Sequence, residues 1–382
     1  MISKISLKHK IIAAVNAAAV AGAIILTAVG SSAAKAQRYN YAAERWKNGS
    51  KIDYGQISCF FSKEAGFDIN KVEELKNDYL AELSKASVNP EENQRLVACA
   101  YSTPVGSGTM SGDGLGTSET DITAVGGDFF LFRNFRLRTG AFFNDNDLMK
   151  NGAVIDRQAA WNLYGSDDII GKNIYINNVK LFVMGVIDFP DTKAEKSCIG
   201  KTPKAYITYD AAGLIFGGDN GGFGGEGGNS KLTRVTCCEV ISPDPVENFS
   251  YTVVKKKYIE KGTYSGKLSI VNNAKRFEPK TRFKALKNLE DVVVTKEDVI
   301  YPYWENASRI TDIKLSFIYG GRRLLLLIPI ITLAVLLIKA FMLYNRKKAG
   351  LKKAFADYIS VKWSKLRSKS AKTALQTTEK ES

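Results

Sequence analysis

Histidine is almost missing from this chain of 382 residues: His9 is the only one. A histidine so close to the N-terminus leaves the body of the protein without a Ser-His-Asp or Cys-His catalytic set. It also rules out zinc or haem held by several imidazoles. Cysteine is scarce as well, with five residues (Cys59, Cys99, Cys198, Cys237, Cys238) and no C-x-x-C spacing. That excludes a disulfide scaffold and a thiolate metal cluster, and leaves room for two disulfides at most. No G-x-x-x-x-G-K-[ST] sequence occurs, so nucleotide-driven work would come from a partner. Acid pairs such as Asp145 with Asp147 or Asp167 with Asp168 are close in sequence, as in solvated turns, and do not make the separated pair that glycoside chemistry needs. No catalytic, cofactor-binding or metal-binding residue is assigned, and an enzyme is not expected.

What the chain does have is a basic excess of +15. Lys4, Lys8 and Lys10 contribute +3, and residues 339–382 carry twelve Lys/Arg against Asp357, Glu379 and Glu381, or +9. Both basic ends flank an apolar run, which is the charge distribution of a membrane protein with cytoplasmic termini rather than of a nucleic-acid binder. Ile11–Ala34 is 24 residues without a charge, enough to cross a hydrocarbon core that takes roughly 20. Its alanines with Gly22 and Gly30 offer a close-packing face. Ala34-Lys35-Ala36 resembles a signal-peptidase site, but the run is longer than a signal core, which favours an uncleaved anchor. Either reading exports the chain beyond Ala36.

The second run, Leu324–Ile338, contains Pro329, where a kink is expected. Arg322 and Arg323 mark one membrane edge. Lys339, Tyr344, Arg346, Lys347 and Lys348 suit the cytoplasmic interface. The expected layout is a cytoplasmic N-terminus over 1–10, transmembrane helices over 11–34 and 322–345, an extracytoplasmic domain over 35–321, and a basic cytoplasmic tail over 346–382. In the tail, Leu351, Phe355, Tyr358, Ile359, Trp363 and Leu366 recur at helical spacing among lysines. Such a helix lies on anionic lipid or docks a partner, with Phe355, Tyr358, Trp363 and Leu366 as the docking candidates.

Within the exported part, Ile69–Leu83 sets Val72, Leu75, Tyr79 and Leu83 on one helical face after Asp68, a cap residue. Strand patterns at Tyr54–Phe61 and Arg95–Tyr101 flank it. A second β-α-β pattern runs from Leu232–Ile241 through a helix over Val246–Ile259 to a strand over Lys267–Val271. Two such units pair into a split α+β sandwich, with a β-rich stretch over about 104–230 inserted between them. Asn177-Asn178 between alternating apolar runs predicts a hairpin, and Asp156–Tyr164 a helix. Adjacent Cys237 and Cys238 point to opposite faces of their strand. The glycine-rich stretches Ser107–Thr117 and Gly217–Gly228, the latter with Asp219 and Glu226, read as flexible loops rather than phosphate or calcium loops. Glu305–Gly320 is expected to extend the second span outward as a stalk, with Ile310, Ile313, Phe317 and Gly320 on one side.

Residues Val125–Asp188 carry a resemblance. Asp128-Phe129-Phe130, the turn Arg138-Thr139-Gly140-Ala141-Phe142-Phe143, the run from Val154-Ile155 to Leu163-Tyr164-Gly165, Ile169-Ile170-Gly171-Lys172 and Phe182-Val183-Met184-Gly185-Val186-Ile187 together resemble the periplasmic core domain of MacB/FtsX-type ABC transporter permeases. The resemblance implies an α+β extracytoplasmic domain, a split β-α-β subdomain with an inserted β-rich subdomain, between two transmembrane helices. It also implies a permease-like membrane subunit of an ABC transport or mechanotransmission complex in the plasma membrane. Such a subunit works with a separate ATPase and a fuller permease or a homo- or hetero-oligomer, because family permeases usually carry four membrane helices and this sequence shows two. The rival is a non-transporting, membrane-anchored binding, sensor or assembly module.

Overall fold

The computed structural model describes residues 6–47, 49–90, 95–114, 116–189, 192–216, 232–286 and 298–378; side chains are described through Ser364, save those of Arg38 and Ala349. In chain order the elements begin with α1 (Leu7–Lys35), α2 (Ala42–Lys47), β1 (Tyr54–Phe61), α3 (Ile69–Lys85), β2 (Ala98–Gly112), β3 (Thr117–Gly127) and α4 (Phe129–Phe132). Next come β4 (Arg136–Gly140), β5 (Gly152–Asp156), α5 (Arg157–Tyr164), β6 (Asn173–Ile176), β7 (Val179–Asp188), α6 (Lys193–Ile199), β8 (Lys204–Thr208) and α7 (Tyr209–Phe216). The last are β9 (Cys237–Pro243), α8 (Phe249–Val254), β10 (Leu268–Asn272), α9 (Pro279–Ala285) and α10 (Tyr303–Thr378). Contacts divide the chain into a mixed unit, Ala28–Gly320, and a helical unit formed by Met1–Thr27 with Gly321–Ser382.

Four strands of the mixed unit lie in the order β10-β1-β9-β2, all neighbours antiparallel. This is the split arrangement of two β-α-β units, β1-α3-β2 and β9-α8-β10. Asp68 accepts the Lys71 N–H at 3.0 Å and caps α3, whose Val72, Leu75, Tyr79 and Leu83 are buried against the sheet. On β1, Ile57, Cys59 and Phe61 enter the core on one face while Phe60 enters the core on the other. Cys238 and Cys237 divide in the same way. All five cysteines are free thiols, so the two disulfides that the count permits do not form. Burial, opposed by Lys76 and helped by Asp128 and Glu73, pushes the Cys99 thiol up to about 12, which keeps it protonated and inert.

The β-rich strands continue this sheet as β2-β3-β8-β5-β7-β4, with β6 pairing β2 and β7. Asn177 (φ 46°) and Asn178 (φ 64°) form the tight turn between β6 and β7. Asp156 caps α5 through the Ala159 N–H at 2.7 Å, and left-handed Gly165 ends it.

One expectation fails here. Ser107–Thr117 is not a flexible loop: residues through Gly112 extend β2, and Thr117 opens β3. Its glycines serve close approach instead. A Cβ on Gly112 would lie 2.9 Å from the Tyr164 ring, and one on Gly116 would meet the Asn162 carbonyl. Met110 is fully buried and faces Ile176 across the β2-β6 pair. The stretch Gly217–Gly228, with Asp219 and Glu226, lies outside the described residues.

In the helical unit Ala19 and Ala23 of α1 are buried, and a Cβ on Gly22 would lie 3.0 Å from Leu325 Cδ1. Asn16 donates to the Thr332 hydroxyl at 3.2 Å. Helix α10 runs through Pro329 without interruption.

Candidate functional site

The first turns of α10 carry a polar stripe that faces inward. Trp304, Glu305, Ser308, Thr311, Asp312, Leu315, Ser316 and Tyr319 are buried, whereas Ile310 and Phe317 are 45% and 63% exposed. The side of the stalk that carries Ile310 and Phe317 therefore looks outward, with Ile313 and Gly320 half-buried at its edge. The apolar residues look outward because the inward face is claimed by charged partners.

Those partners come from the segment after β10. The Arg276 guanidinium forks onto Glu305, Nη1 to Oε2 and Nη2 to Oε1, both at 2.8 Å. Its Nε and Nη2 also reach Asp312 Oδ2 at 2.9 and 2.7 Å. Arg282 Nη1 pairs with Asp312 Oδ1 at 2.8 Å. Arg276 Nη1 further donates to Asn273 Oδ1 at 3.0 Å. Asn273 in turn donates to Ser58 Oγ, and Ser58 to Glu239 Oε1, each at 2.8 Å. Glu239 closes the chain with Arg133, whose guanidinium carbon sits 3.9 Å over the Trp304 ring.

Three arginines and three carboxylates thus balance in a buried run from the two inner strands of the split arrangement (β1, β9) to the start of α10. Burial works against the Arg276 charge, but Asp312 and Glu305 outweigh it and hold its pKa above the ordinary value. Glu305 is pushed upward by burial, with Arg276 opposing. Such a network adds little net stability over an apolar core, but losing one member strands a buried charge. It fixes where α10 sits on the sheet.

The chain leaving α1 grips the same turns. Tyr39 Oη donates to the Trp304 carbonyl at 2.8 Å, and Asn40 Nδ2 to Ser308 Oγ at 2.9 Å. Gln56 of β1 donates to the Tyr39 carbonyl and accepts the Ala43 N–H, both at 3.2 Å. Both long helices are therefore anchored to β1 by hydrogen bonds within the mixed unit.

None of these residues was a candidate from sequence. Glu305 and Asp312 do stand seven apart, on one helical face with Ser308, and that is the signal a helical wheel holds; their arginine partners are not visible without the fold. The docking and membrane-interface candidates lie further along α10. Phe355, Tyr358 and Trp363 are 66%, 63% and 64% exposed. The side chain of Leu366 lies outside the described residues. Arg322 and Arg323 are half-buried, and Lys339, Tyr344, Arg346, Lys347 and Lys348 are exposed. No group of three or more His, Cys, Asp or Glu side chains able to hold a metal occurs among the described residues.

The family model of the MacB-like periplasmic core domain matches residues 14–232. The chain belongs to this family. Among relatives, the macrolide export ATP-binding/permease protein MacB of Haemophilus ducreyi is 38% identical over 74 residues, 19% of this chain and 11% of that protein. Its counterpart in Pasteurella multocida is 28% identical over 81 residues, 21% of this chain and 12% of that one. The chain thus matches about a tenth of the length of these relatives. Among solved structures, the periplasmic region of MacB from Actinobacillus actinomycetemcomitans aligns with 63% of this chain and 94% of its own, at a TM-score of 0.40 and 14% identity. The extracellular domain of the noncanonic ABC-type transporter YknZ from Gram-positive bacteria aligns with 57% of this chain and 100% of its own, at 0.38 and 13%. As a member of this family with, among the described residues, two helices long and apolar enough to cross a membrane, the MacB-like chain is a membrane protein with an extracytoplasmic domain.

Proposed function

We propose that this chain is a permease-like membrane subunit of an ABC transport or mechanotransmission complex, driven by a separate ATPase and acting beside a fuller permease or further copies of itself. The observation that carries the reading is the continuity of α10. One helix holds Glu305 and Asp312, locked to the sheet by Arg276, and also Phe355, Tyr358 and Trp363, exposed among lysines. A helix fixed at one end by a buried charge network moves with its domain, so displacement at one end is transmitted rather than absorbed. In this reading both termini are cytoplasmic, 11–34 and 322–345 cross the membrane, and 35–321 works outside. Arg322 and Arg323 meet the outer interface, and Lys339, Tyr344, Arg346, Lys347 and Lys348 the inner one. Phe355, Tyr358, Trp363 and Leu366 dock the ATPase, and the surrounding lysines rest on anionic lipid.

Affinity purification of the tagged protein from its native membrane in mild detergent, with mass spectrometry of co-purifying proteins, tests the reading. Recovery of an ABC ATPase that disappears with Phe355→Ala/Trp363→Ala supports it. Absence of any ATPase or permease from a complex shown to survive extraction overturns it and leaves an anchored binding module.

A further inference from the structure

Helix α9 is held against the last extracytoplasmic turns of the stalk. Arg282 ties it to Asp312, and Leu286, just past its last turn, packs on Gly320, where a Cβ would lie 3.0 Å from Leu286 Cδ1. Gly320 stands four residues before Leu324, which opens the apolar run, or about 6 Å along a helix. The headgroup layer of a bilayer is itself roughly 5–7 Å deep, so the end of α9 comes to the level of headgroups. The end of α1 joins the same region, where Ala33 and Ala34 pack against Phe277, Leu315 and Tyr319.

Four lysines crowd this part of the stalk. Lys280 and Lys284 stand one turn apart on α9, Lys35 closes α1, and Lys314 looks outward from α10; all four are exposed. None has a hydrogen-bond or ion-pair partner among the described residues. The buried acids beside them are already taken, Glu305 by Arg276 and Asp312 by Arg276 and Arg282. Exposed Glu278, at the start of α9, stands against the four. Phe317, three residues before Gly320, is left largely in the open as well.

We infer that the base of the stalk binds anionic phospholipid of the outer leaflet, with Lys280 and Lys284 pairing with headgroup phosphates and Phe317 lodged among the headgroups. Unpaired cations beside an exposed aromatic ring suit a surface that is negative in its headgroups and apolar beneath them. The long lysine stems let the ammonium groups reach toward that surface, and Lys35 and Lys314 lie within a Debye length of it. The four amines sit on three different helices, as fits a plane of phosphates and not a single free anion. The inference rests on the membrane layout proposed above, which puts this end of the span outside.

Amine labelling tests it. The full-length protein is reconstituted in nanodiscs of phosphatidylcholine, with or without phosphatidylglycerol, and acetylation of each lysine by an N-hydroxysuccinimide ester is followed by peptide mass spectrometry. Lys261, which precedes the end of β10 remote from α9, is the exposed control. Phosphatidylglycerol should slow labelling at Lys280 and Lys284 about fivefold, the factor for a lysine held at an anionic surface, and leave Lys261 unchanged. Unchanged rates at Lys280 and Lys284, or equal slowing at Lys261, overturn the inference. Protection by inorganic phosphate in phosphatidylcholine discs, equal to that by phosphatidylglycerol, would assign a free anion and overturn the lipid assignment. The layout is tested apart from this with a membrane-impermeant sulfonated ester on intact cells, which should reach Lys261 and not Lys352. Labelling of Lys352 with Lys261 spared would sink the layout; the expected cell result with unprotected Lys280 and Lys284 would sink the lipid site alone.

Discussion

Arg276 and Glu305 meet as a planar fork, two parallel N–H···O bonds of 2.8 Å, with both side chains almost wholly buried. The fork joins the segment after the last strand of the split sheet to the first turn of α10. Asp312, two helical turns further on, takes the Nε edge of the same guanidinium.

Removing the arginine leaves two buried carboxylates that no longer have it as their shared partner. Arg276→Met is expected to cost about 3–5 kcal/mol. For a unit of this size that is a drop in melting temperature of roughly 10 °C. Adding Glu305→Gln to the same protein should recover part of the loss. Thermal unfolding of the purified full chain followed by circular dichroism measures both.

Asp156 gives a pH signature. Burial raises its pKa despite the hydrogen bonds from the Ala159 and Lys204 backbone N–H groups. A carboxyl raised on folding contributes stability that is fully present below its unfolded pKa and lost as pH rises through its folded value. Asp156→Asn should therefore cost more at about pH 4, near the unfolded carboxyl value, than at pH 7. Melting temperatures of the two proteins at the two pH values check the sign; a cost that grows with pH contradicts it.

Gly116 and Gly66 separate packing from backbone strain. A Cβ at Gly116 runs into the Asn162 backbone, whereas Gly66, at φ +62°, has open space around it. Gly116→Ala should cost about 1–3 kcal/mol by overpacking, and Gly66→Ala about 1 kcal/mol through its left-handed backbone. Chemical denaturation of each variant provides the comparison.

The split sheet was legible because its signals are local. Asp68 with Val72, Leu75, Tyr79 and Leu83 is a capped amphipathic helix in any context, Asn177-Asn178 is a turn by its own backbone preference, and alternation divides Cys237 from Cys238. Where the deciding contact is distant, the pattern misled. Gly112 and Gly116 read as flexibility, but their missing side chains make room for Tyr164 and the Asn162 backbone. Ile310 and Phe317 share one side of the stalk, as their spacing says, but spacing does not tell that this side looks outward; the inward face belongs to Glu305, Ser308 and Asp312 because Arg276 and Arg282 await them there. Neither arginine stands out in a sequence with 54 basic residues.

The central claim is that the extracytoplasmic charge network is coupled through α10 to ATP hydrolysis on the other side of the membrane. The most direct measurement is ATP turnover by the complex purified from membranes, wild type against Arg276→Lys, which keeps the charge but loses the fork. The account predicts that turnover falls at least threefold while the ATPase still co-purifies in equal amount. Unchanged turnover in a complex of the same composition would contradict it.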